Sequence, residues 1–247
     1  MNKLLEEDLQ YVVSRLSKTV EYLMKNNRIY LAGGFIRALI TGENPSDIDI
    51  LGESKEQVNE IRRDFFEADY KNVYESIKTK NAITIYASGK LPIQLITRWL
   101  YDDPAKLIRE FDFTIAQSVI WYSQSMAKWC SLCSDYFYCD LAAKRLRYTQ
   151  PVRNEDAGGS ILRVLKFLRK GYKISPEELS KVTVRWLSGV NRKIVDFDDN
   201  EGLTKVLSGL LREVDPLNIN INNGIIVNDE ESEGSDVSKD EKESDIV

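Results

Sequence analysis

Histidine is absent from all 247 residues. That excludes the Ser-His-Asp triad, the Cys-His dyad and any zinc site built on imidazole. Chemistry here must rest on carboxylates, hydroxyls, thiols, Lys, Arg, or a metal held by oxygen. Cysteine is scarce: Cys130, Cys133 and Cys139 are the only three, and an odd count argues against a disulfide framework. The Cys-x-x-Cys pair with Cys139 lacks a fourth zinc ligand, so buried, reduced thiols are the simpler expectation. Long apolar runs are missing too. No stretch approaches the roughly 18 uncharged residues of a membrane span. The N-terminus, Met1 to Asp8, is acidic and amphipathic, without the basic start and apolar run of a signal peptide. A soluble, cytoplasmic protein with no membrane partner is expected. Apolar residues at 43% and charged residues at 30% exclude wholesale disorder.

Charge is divided unevenly. Residues 228–247 carry nine acids against two bases, a net of −7, while the whole chain is −5. This acidic segment is too poor in apolar side chains to bury enough surface to fold. It reads as a solubilising tail, with a partner-binding or nucleic-acid-mimicking role as the alternative. The remaining +2 over residues 1–227 permits an anionic partner without demanding one.

Residues 4–24 place Leu5, Leu9, Val12, Val13, Leu16, Val20 and Leu23 at helical spacing, which predicts one amphipathic helix. Residues 29–32 read as a short buried strand, followed by Gly33-Gly34 and a short helix over 35–40. Asn44-Pro45-Ser46 is a turn. Asp47-Ile48-Asp49-Ile50-Leu51 alternates as a strand with one buried face does. A helix suits 54–68. Residues 73–79, 83–86 and 93–97 look like an antiparallel meander turning at Lys80-Asn81 and Ser88-Gly89-Lys90. Pro104 opens a short helix to 108. Residues 114–122 fit strand and helix equally. Helices are expected over 160–172, 176–189 and 201–213. The division predicted is an α+β unit over 1–150, a small helical unit over 151–217 and the acidic tail over 218–247.

The chemistry concentrates in two stretches. Asp47 and Asp49, two apart on a strand, project from one face. Carboxylates so placed repel one another unless a cation sits between them, which is how Mg²⁺ is held at phosphoryl-transfer sites. Upstream, Gly33-Gly34 lets backbone approach a phosphate and opens a helix whose N-terminal amides favour an anion. Arg37, one turn into that helix, adds a charged donor. Each piece alone has a bland reading, an exposed acid pair or an ordinary turn. Their order and spacing together are far more specific.

Gly33-Gly34-x-x-Arg37 followed by Asp47-Ile48-Asp49-Ile50 resembles the DNA polymerase beta-type nucleotidyltransferase superfamily. Within it the sequence is most similar to the head and neck of bacterial-type CCA-adding enzymes and poly(A) polymerases. Phe111-Asp112-Phe113-Thr114 resembles their ribose-handling segment. Glu155-Asp156 and Ile161-Leu162-Arg163-Val164-Leu165-Lys166-Phe167 resemble their neck helix. The resemblance implies a twisted, mostly antiparallel sheet with helices, then a helical neck. It implies transfer of a nucleoside monophosphate from an NTP to an acceptor hydroxyl, most readily an RNA 3′ end such as that of tRNA. By the same likeness, Asp47 and Asp49 would be catalytic and hold Mg²⁺. Gly33, Gly34, Arg37, Asp112 and Arg163 would contact the nucleotide.

The departures are specific. Glu110 and Phe111 replace two arginines of the family segment, and Ala157-Gly158-Gly159-Ser160 replaces a base-reading Arg. Gln94 stands where many superfamily members carry a third metal carboxylate. The double glycine is expected to interrupt the neck helix. These changes keep two alternatives open. One is a non-catalytic binding or assembly protein with the same fold; the other is a toxin-like enzyme acting on a protein or a small molecule. The basic face Arg163, Lys166 and Lys170 reads as a solvated helix face, with a phosphate or base contact from Arg163 as the alternative. The aromatic band of Trp121, Tyr122, Trp129, Tyr136, Phe137 and Tyr138 reads as core packing or as a base-stacking platform.

Overall fold

A computed structural model describes residues 1–69, 73–79, 81–151, 157–190 and 197–214. Glu155, Asp156, Lys80 and the acidic segment 218–247 lie outside the described residues.

The first stretch forms two helices rather than the single one expected. Helix α1 (Glu6–Ser14) stops at Arg15, and α2 (Lys18–Asn26) starts behind Ser17. The Ser17 hydroxyl accepts a hydrogen bond from the Val20 amide at 3.3 Å, an N-cap that competes with helix continuation. The apolar stripe still turns inward: Leu9, Val12, Leu16, Val20 and Leu23 are all buried.

The following strands build one twisted sheet. They are β1 (Tyr30–Ala32), β2 (Ile48–Leu51), β3 (Val73–Lys78), β4 (Ala82–Ala87), β5 (Ile93–Ile96), β6 (Ser118–Ser123) and β7 (Lys128–Cys133). Among the described residues the sheet order is β3-β4-β5-β2-β1-β6-β7. Every pairing is antiparallel except β2 with β5. The predicted α+β, mostly antiparallel architecture is therefore the one found. The ambiguous stretch 114–122 resolves into a 3-10 turn (Thr114–Ala116) and then β6.

Strand alternation sorts the side chains between two layers. Leu31, Ile48, Ile50, Ile83, Ile85, Ile93, Leu95 and Ile120 enter the main core with α1, α2, α3 (Gly34–Thr41) and α4 (Lys55–Asp69). Tyr30, Ala32, Leu51 and Val119 face the other way, against Leu107 and Ile108 of α5 (Pro104–Arg109). Asp103 caps α5 by accepting from the Ala105 amide at 2.8 Å, with Pro104 in the first turn.

A short helix α6 (Phe137–Ala142) precedes strand β8 (Arg145–Leu146). Helix α7 (Ala157–Arg169) follows, then β9 (Lys173–Ile174), α8 (Pro176–Ser188) and α9 (Asn200–Val214). Gly158 and Gly159 do not interrupt α7: they form its first turn, where amides lack intrahelical partners anyway and a glycine is less costly. β8 pairs in parallel with β9, and Val164, Phe167, Tyr172 and Val182 join the main core.

Of the three cysteines only Cys133 is buried; Cys139 is exposed and Cys130 intermediate, which corrects the expectation of three buried thiols. Burial pushes the Cys133 thiol up to about 11, so it is unreactive near neutrality. Phe137 fills the core, whereas Tyr136 is exposed beneath the Arg147 guanidinium at 4.0 Å. No helix among the described residues is long and apolar enough to cross a membrane.

Candidate functional site

A cleft of ≈ 340 Å³ lies between the sheet face that carries Asp47, Asp49 and Leu51 and one side of α7. Three groups of residues build it. The first is the β1–α3 turn. Gly33 has φ +77° and ψ −127°, a backbone region open in practice only to glycine. A Cβ there would also sit 3.1 Å from the Phe111 ring. This turn lets β1 reverse directly into α3. Gly34, at the start of α3, lines the cleft, and a Cβ on it would meet nothing within 4 Å. The start of α3 therefore borders open space at Gly34, where a helix N-terminus favours an anion. Arg37 is 6% exposed and lines the same wall. Its guanidinium lies 4.8 Å from the Phe167 ring centroid and 3.7 Å from Glu43. Its Nε is buried without a hydrogen-bond partner.

The second group is the acid pair. Asp47 sits at the entry of β2 and Asp49 within it, while the alternating Ile48 and Ile50 anchor the strand in the core. Gln94 of β5 is the direct neighbour of Asp49 in the parallel register, and its Nε2 donates to Asp47 Oδ2 at 3.3 Å. The amide at this position therefore orients Asp47. The Asp49 carboxyl is pushed up to about 8, first by burial and then by Asp47, with Lys166 pulling against both. Among the described residues no group of three or more His, Cys, Asp or Glu side chains forms a metal cluster. Two carboxylates nevertheless suit Mg²⁺, which takes one or two protein carboxylates and completes its shell with substrate phosphates and water.

The raised Asp49 value makes a prediction about the metal-free protein. The unfolded state ionises this group at the ordinary carboxylate value, whereas the folded state keeps the proton up to about pH 8. The unfolded state thus binds fewer protons across that window, and stability falls as pH rises from roughly 4 to roughly 8. Asp49→Asn removes the liability. In chelator-treated protein at pH 8 it should raise Tm by several degrees, with little gain near pH 4. An equal Tm for both proteins at pH 8 would show that Asp49 is not held unfavourably.

The third group is α7. Arg163, Lys166 and Lys170 all line the cleft, and Lys166 lies close enough to Asp49 to pull against the rise of its carboxyl. Lys170 lies 3.7 Å from Glu43, which also pairs with Arg37. Asp112 is 4% exposed, and its Oδ2 accepts from both Ser160 Oγ and Arg163 Nε at 2.7 Å. These bonds clamp the N-terminal part of α7 onto the sheet unit.

The structure brings Gly34, Arg37, Asp47, Asp49, Asp112 and Arg163 into one cleft, with Gly33 directly behind it. Asp112 and Arg163 engage each other there. Residues not singled out for the site line it as well: Lys166, Lys170, Trp99, Tyr101 and Glu110. The i, i+3, i+7 spacing of the basic residues marked a shared face; only the packing of Val164 and Phe167 into the core says which way that face turns. The aromatic band lies elsewhere. Trp121, Tyr122 and Trp129 line a separate groove against α1 and α2.

Two kinds of likeness bear on this arrangement. Among solved structures, the Thermotoga maritima CCA-adding enzyme complexed with tRNA matches with a TM-score of 0.54 at 20% identity, covering 73% of this chain and 45% of that one. A CCA-adding enzyme in complex with ATP matches with a TM-score of 0.53 at 19% identity, covering 83% and 48%. At these identities the likeness is one of fold, and it places the sheet unit with the nucleotidyltransferase head of those enzymes. A relative named Gabija anti-defense 2, from Bacillus phage SPbetaL7, is 24% identical over 161 residues. That alignment takes in 65% of this chain and 38% of the relative, so the chain spans well under half of that protein's length. The sequence model of the Gabija anti-defense 2 family matches residues 3–144. The kinship with CCA-adding enzymes expected from the motifs is thus a shared fold, and by a match over more than half of its length the chain belongs to the Gabija anti-defense 2 family.

Proposed function

We propose that this protein is a Mg²⁺-dependent nucleotidyltransferase that moves a nucleoside monophosphate from an NTP to an acceptor hydroxyl, in the service of counter-defence. The observation that carries the reading is the meeting of Asp47 and Asp49 with Gly34 at the start of α3, Arg37 and Lys166 across one cleft. The counter-defence context rests on the family name alone. The division into a head over 1–150 and a neck from 151 onward belongs to the same proposal.

In this reading the acceptor hydroxyl gives up its proton to water, its oxygen attacks the α-phosphorus, the bond from that phosphorus to the α,β-bridging oxygen breaks, and pyrophosphate leaves with the electron pair. Mg²⁺ bound at the acid pair would supply charge to the attacking and departing oxygens. The α3 amides at Gly34 and the Arg37 guanidinium hold the β- and γ-phosphates. Lys166 faces the acids and meets the negative charge that builds on the departing pyrophosphate. Gln94 keeps Asp47 oriented before substrate arrives. Asp112 fixes Arg163 on the wall beside the sugar and base. The chain contributes positioning and charge rather than a covalent intermediate.

The acceptor favoured is an RNA 3′ end, with a protein hydroxyl or a small molecule next. A specific observation supports a rival, a binding protein that keeps the fold without turnover: Gln94 brings no third carboxylate and instead donates its amide to Asp47. Incubation with Mg²⁺, each NTP in turn and bulk RNA separates the two. Pyrophosphate release above the protein-free rate supports transfer; NTP binding with no release at any concentration supports the rival.

Base selectivity should be weak. Reading a base edge needs a rigid fork of donors and acceptors. Asp112 engages only the Nε of Arg163, and the first turn of α7, Ala157-Gly158-Gly159-Ser160, carries no second Arg to complete such a fork. Discrimination then falls to shape and stacking, so purine and pyrimidine can be told apart while ordered C, C, A addition should not occur. Addition of that ordered trinucleotide to tRNA lacking its 3′ end would refute this.

A further inference from the structure

Beyond Asp49 the cleft changes character. Leu51 follows two residues on along the same face of β2, paired in register with Ile96 of β5. Trp99 and Tyr101 continue this apolar half on the segment leaving β5. β1 runs antiparallel to β2 with Tyr30 opposite Leu51, so the β1–α3 turn leading to Gly34 and Arg37 lies toward the Asp47 end of the strand, away from Leu51. In-line displacement requires the attacking oxygen to approach opposite the departing pyrophosphate. With the triphosphate on the cationic half, the acceptor must come in over Trp99 and Tyr101.

This half does not end blindly. A second groove of ≈ 620 Å³ abuts the cleft, with Tyr101 and Glu110 lining both. Its far walls carry Lys106 and Arg109 on one side and Gln117, Thr149 and Gln150 on the other. Lys106 pairs with Asp102 at 3.1 Å, but both side chains are more than 60% exposed, so the pair is weak and a phosphate can displace it. Tyr101 is fixed in place by its amide, which donates to the Gly52 carbonyl at 2.9 Å.

We propose that this groove is the acceptor track, and that it takes the 3′ end of a single-stranded nucleic acid. The inference rests on the nucleotidyltransferase reading for the direction of attack. Two aromatic rings beside the acids, then two cations among amides and a hydroxyl, form the sequence of contacts a strand needs. Terminal bases stack on the rings, and the phosphodiesters behind them meet Lys106 and Arg109. The groove adjoins the cleft at Tyr101 and Glu110, so a strand lying in it brings its terminal hydroxyl to the apolar half of the cleft.

The test is fluorescence anisotropy with a labelled, mixed-sequence single-stranded RNA 12-mer, using the full chain. The Lys106→Glu/Arg109→Glu double variant should bind the 12-mer at least tenfold more weakly. Its salt slope should flatten by about 1.4 in log–log terms, two phosphate contacts at about 0.7 each. Trp99→Ala should weaken binding at least fivefold with an unchanged salt slope. Melting temperature and NTP·Mg²⁺ binding, followed by thermal shift, should stay at the wild-type level in the double variant. An unaltered affinity and slope in the double variant would overturn the track. So would NTP·Mg²⁺ binding by wild-type protein with no measurable RNA binding, which would leave the transfer reading intact and assign the acceptor role to a protein or a small molecule. RNA binding that depends on Lys106 and Arg109 without any NTP·Mg²⁺ binding would leave the groove a nucleic-acid site and overturn its acceptor role together with the transfer reading.

Discussion

Asp47→Ala and Asp49→Ala should each lower nucleotidyl transfer by at least about 100-fold, the scale expected when a principal source of transition-state charge stabilisation is lost. Neither change should unfold the protein. Both side chains project from the sheet into the cleft, while the core contacts of β2 come from Ile48 and Ile50. The two variants need not behave alike without metal. Asp49 is the group driven upward by burial and by its neighbour, so its removal relieves the folded state, whereas Asp47 already has the Gln94 amide to accept from. The check is a turnover measurement on both variants alongside melting curves in chelator. Near wild-type turnover by either would overturn the assignment of the acids.

The largest effect on stability should come from Asp140→Ala. This aspartate has no exposed surface, yet its carboxylate accepts from Thr114 Oγ1 and Arg145 Nε at 2.7 Å and from Arg147 Nε at 2.9 Å. Burial alone would raise its pKa; the Arg147, Thr114 and Arg145 bonds outweigh that and hold the carboxyl below the usual range. Alanine leaves the buried Thr114 hydroxyl unpaired and two arginines without their anchor. A loss of about 3 kcal/mol is expected, at the low end for breaking a buried pair because both arginines reach solvent. For a chain of this size that corresponds to a Tm lowered by roughly 6–12 °C. The pH dependence has the opposite sign to that of Asp49. Asp140 contributes its stability above the ordinary carboxylate value, and the contribution disappears as pH falls through its lower folded value. Transfer should fall as well, because the 3-10 turn that Asp140 holds follows directly on Asp112 and Phe113. A Tm within 2 °C of wild type, read by calorimetry at about pH 7, would contradict this account of the cluster.

Asp140 also shows where the sequence stopped being informative. Nothing in its spacing distinguishes it from a surface acid of a short helix; its role is created by Thr114, Arg145 and Arg147, which only the tertiary fold brings together. The acid pair was legible because the strand period places Asp47 and Asp49 on one face and Ile48 and Ile50 on the other. Gly33-Gly34 was legible because the reversal into α3 needs a positive φ there. The capped helices α5 and α8 could be read from Asp103-Pro104 and Ser175-Pro176. Local competition hid other features. Ser17 capped a second helix inside a continuous apolar stripe. Residues 114–122 are β-branched and aromatic enough for either state, and pairing with β1 and β7 decides for strand. The inward turn of Lys166 and Lys170 depends on how α7 packs, which periodicity alone cannot give.

The central claim is that the α-phosphoryl group of an NTP, with its nucleoside, becomes attached to an acceptor. The most direct measurement gives the protein Mg²⁺ and bulk RNA with each NTP labelled in parallel at the α- and at the γ-phosphate. The account predicts α-label fixed covalently on the RNA, γ-label released as pyrophosphate in equal amount, and neither with Asp47→Ala. γ-Label on the acceptor, or no covalent label from any NTP while NTP·Mg²⁺ is bound and RNA and protein acceptors are both supplied, would contradict it.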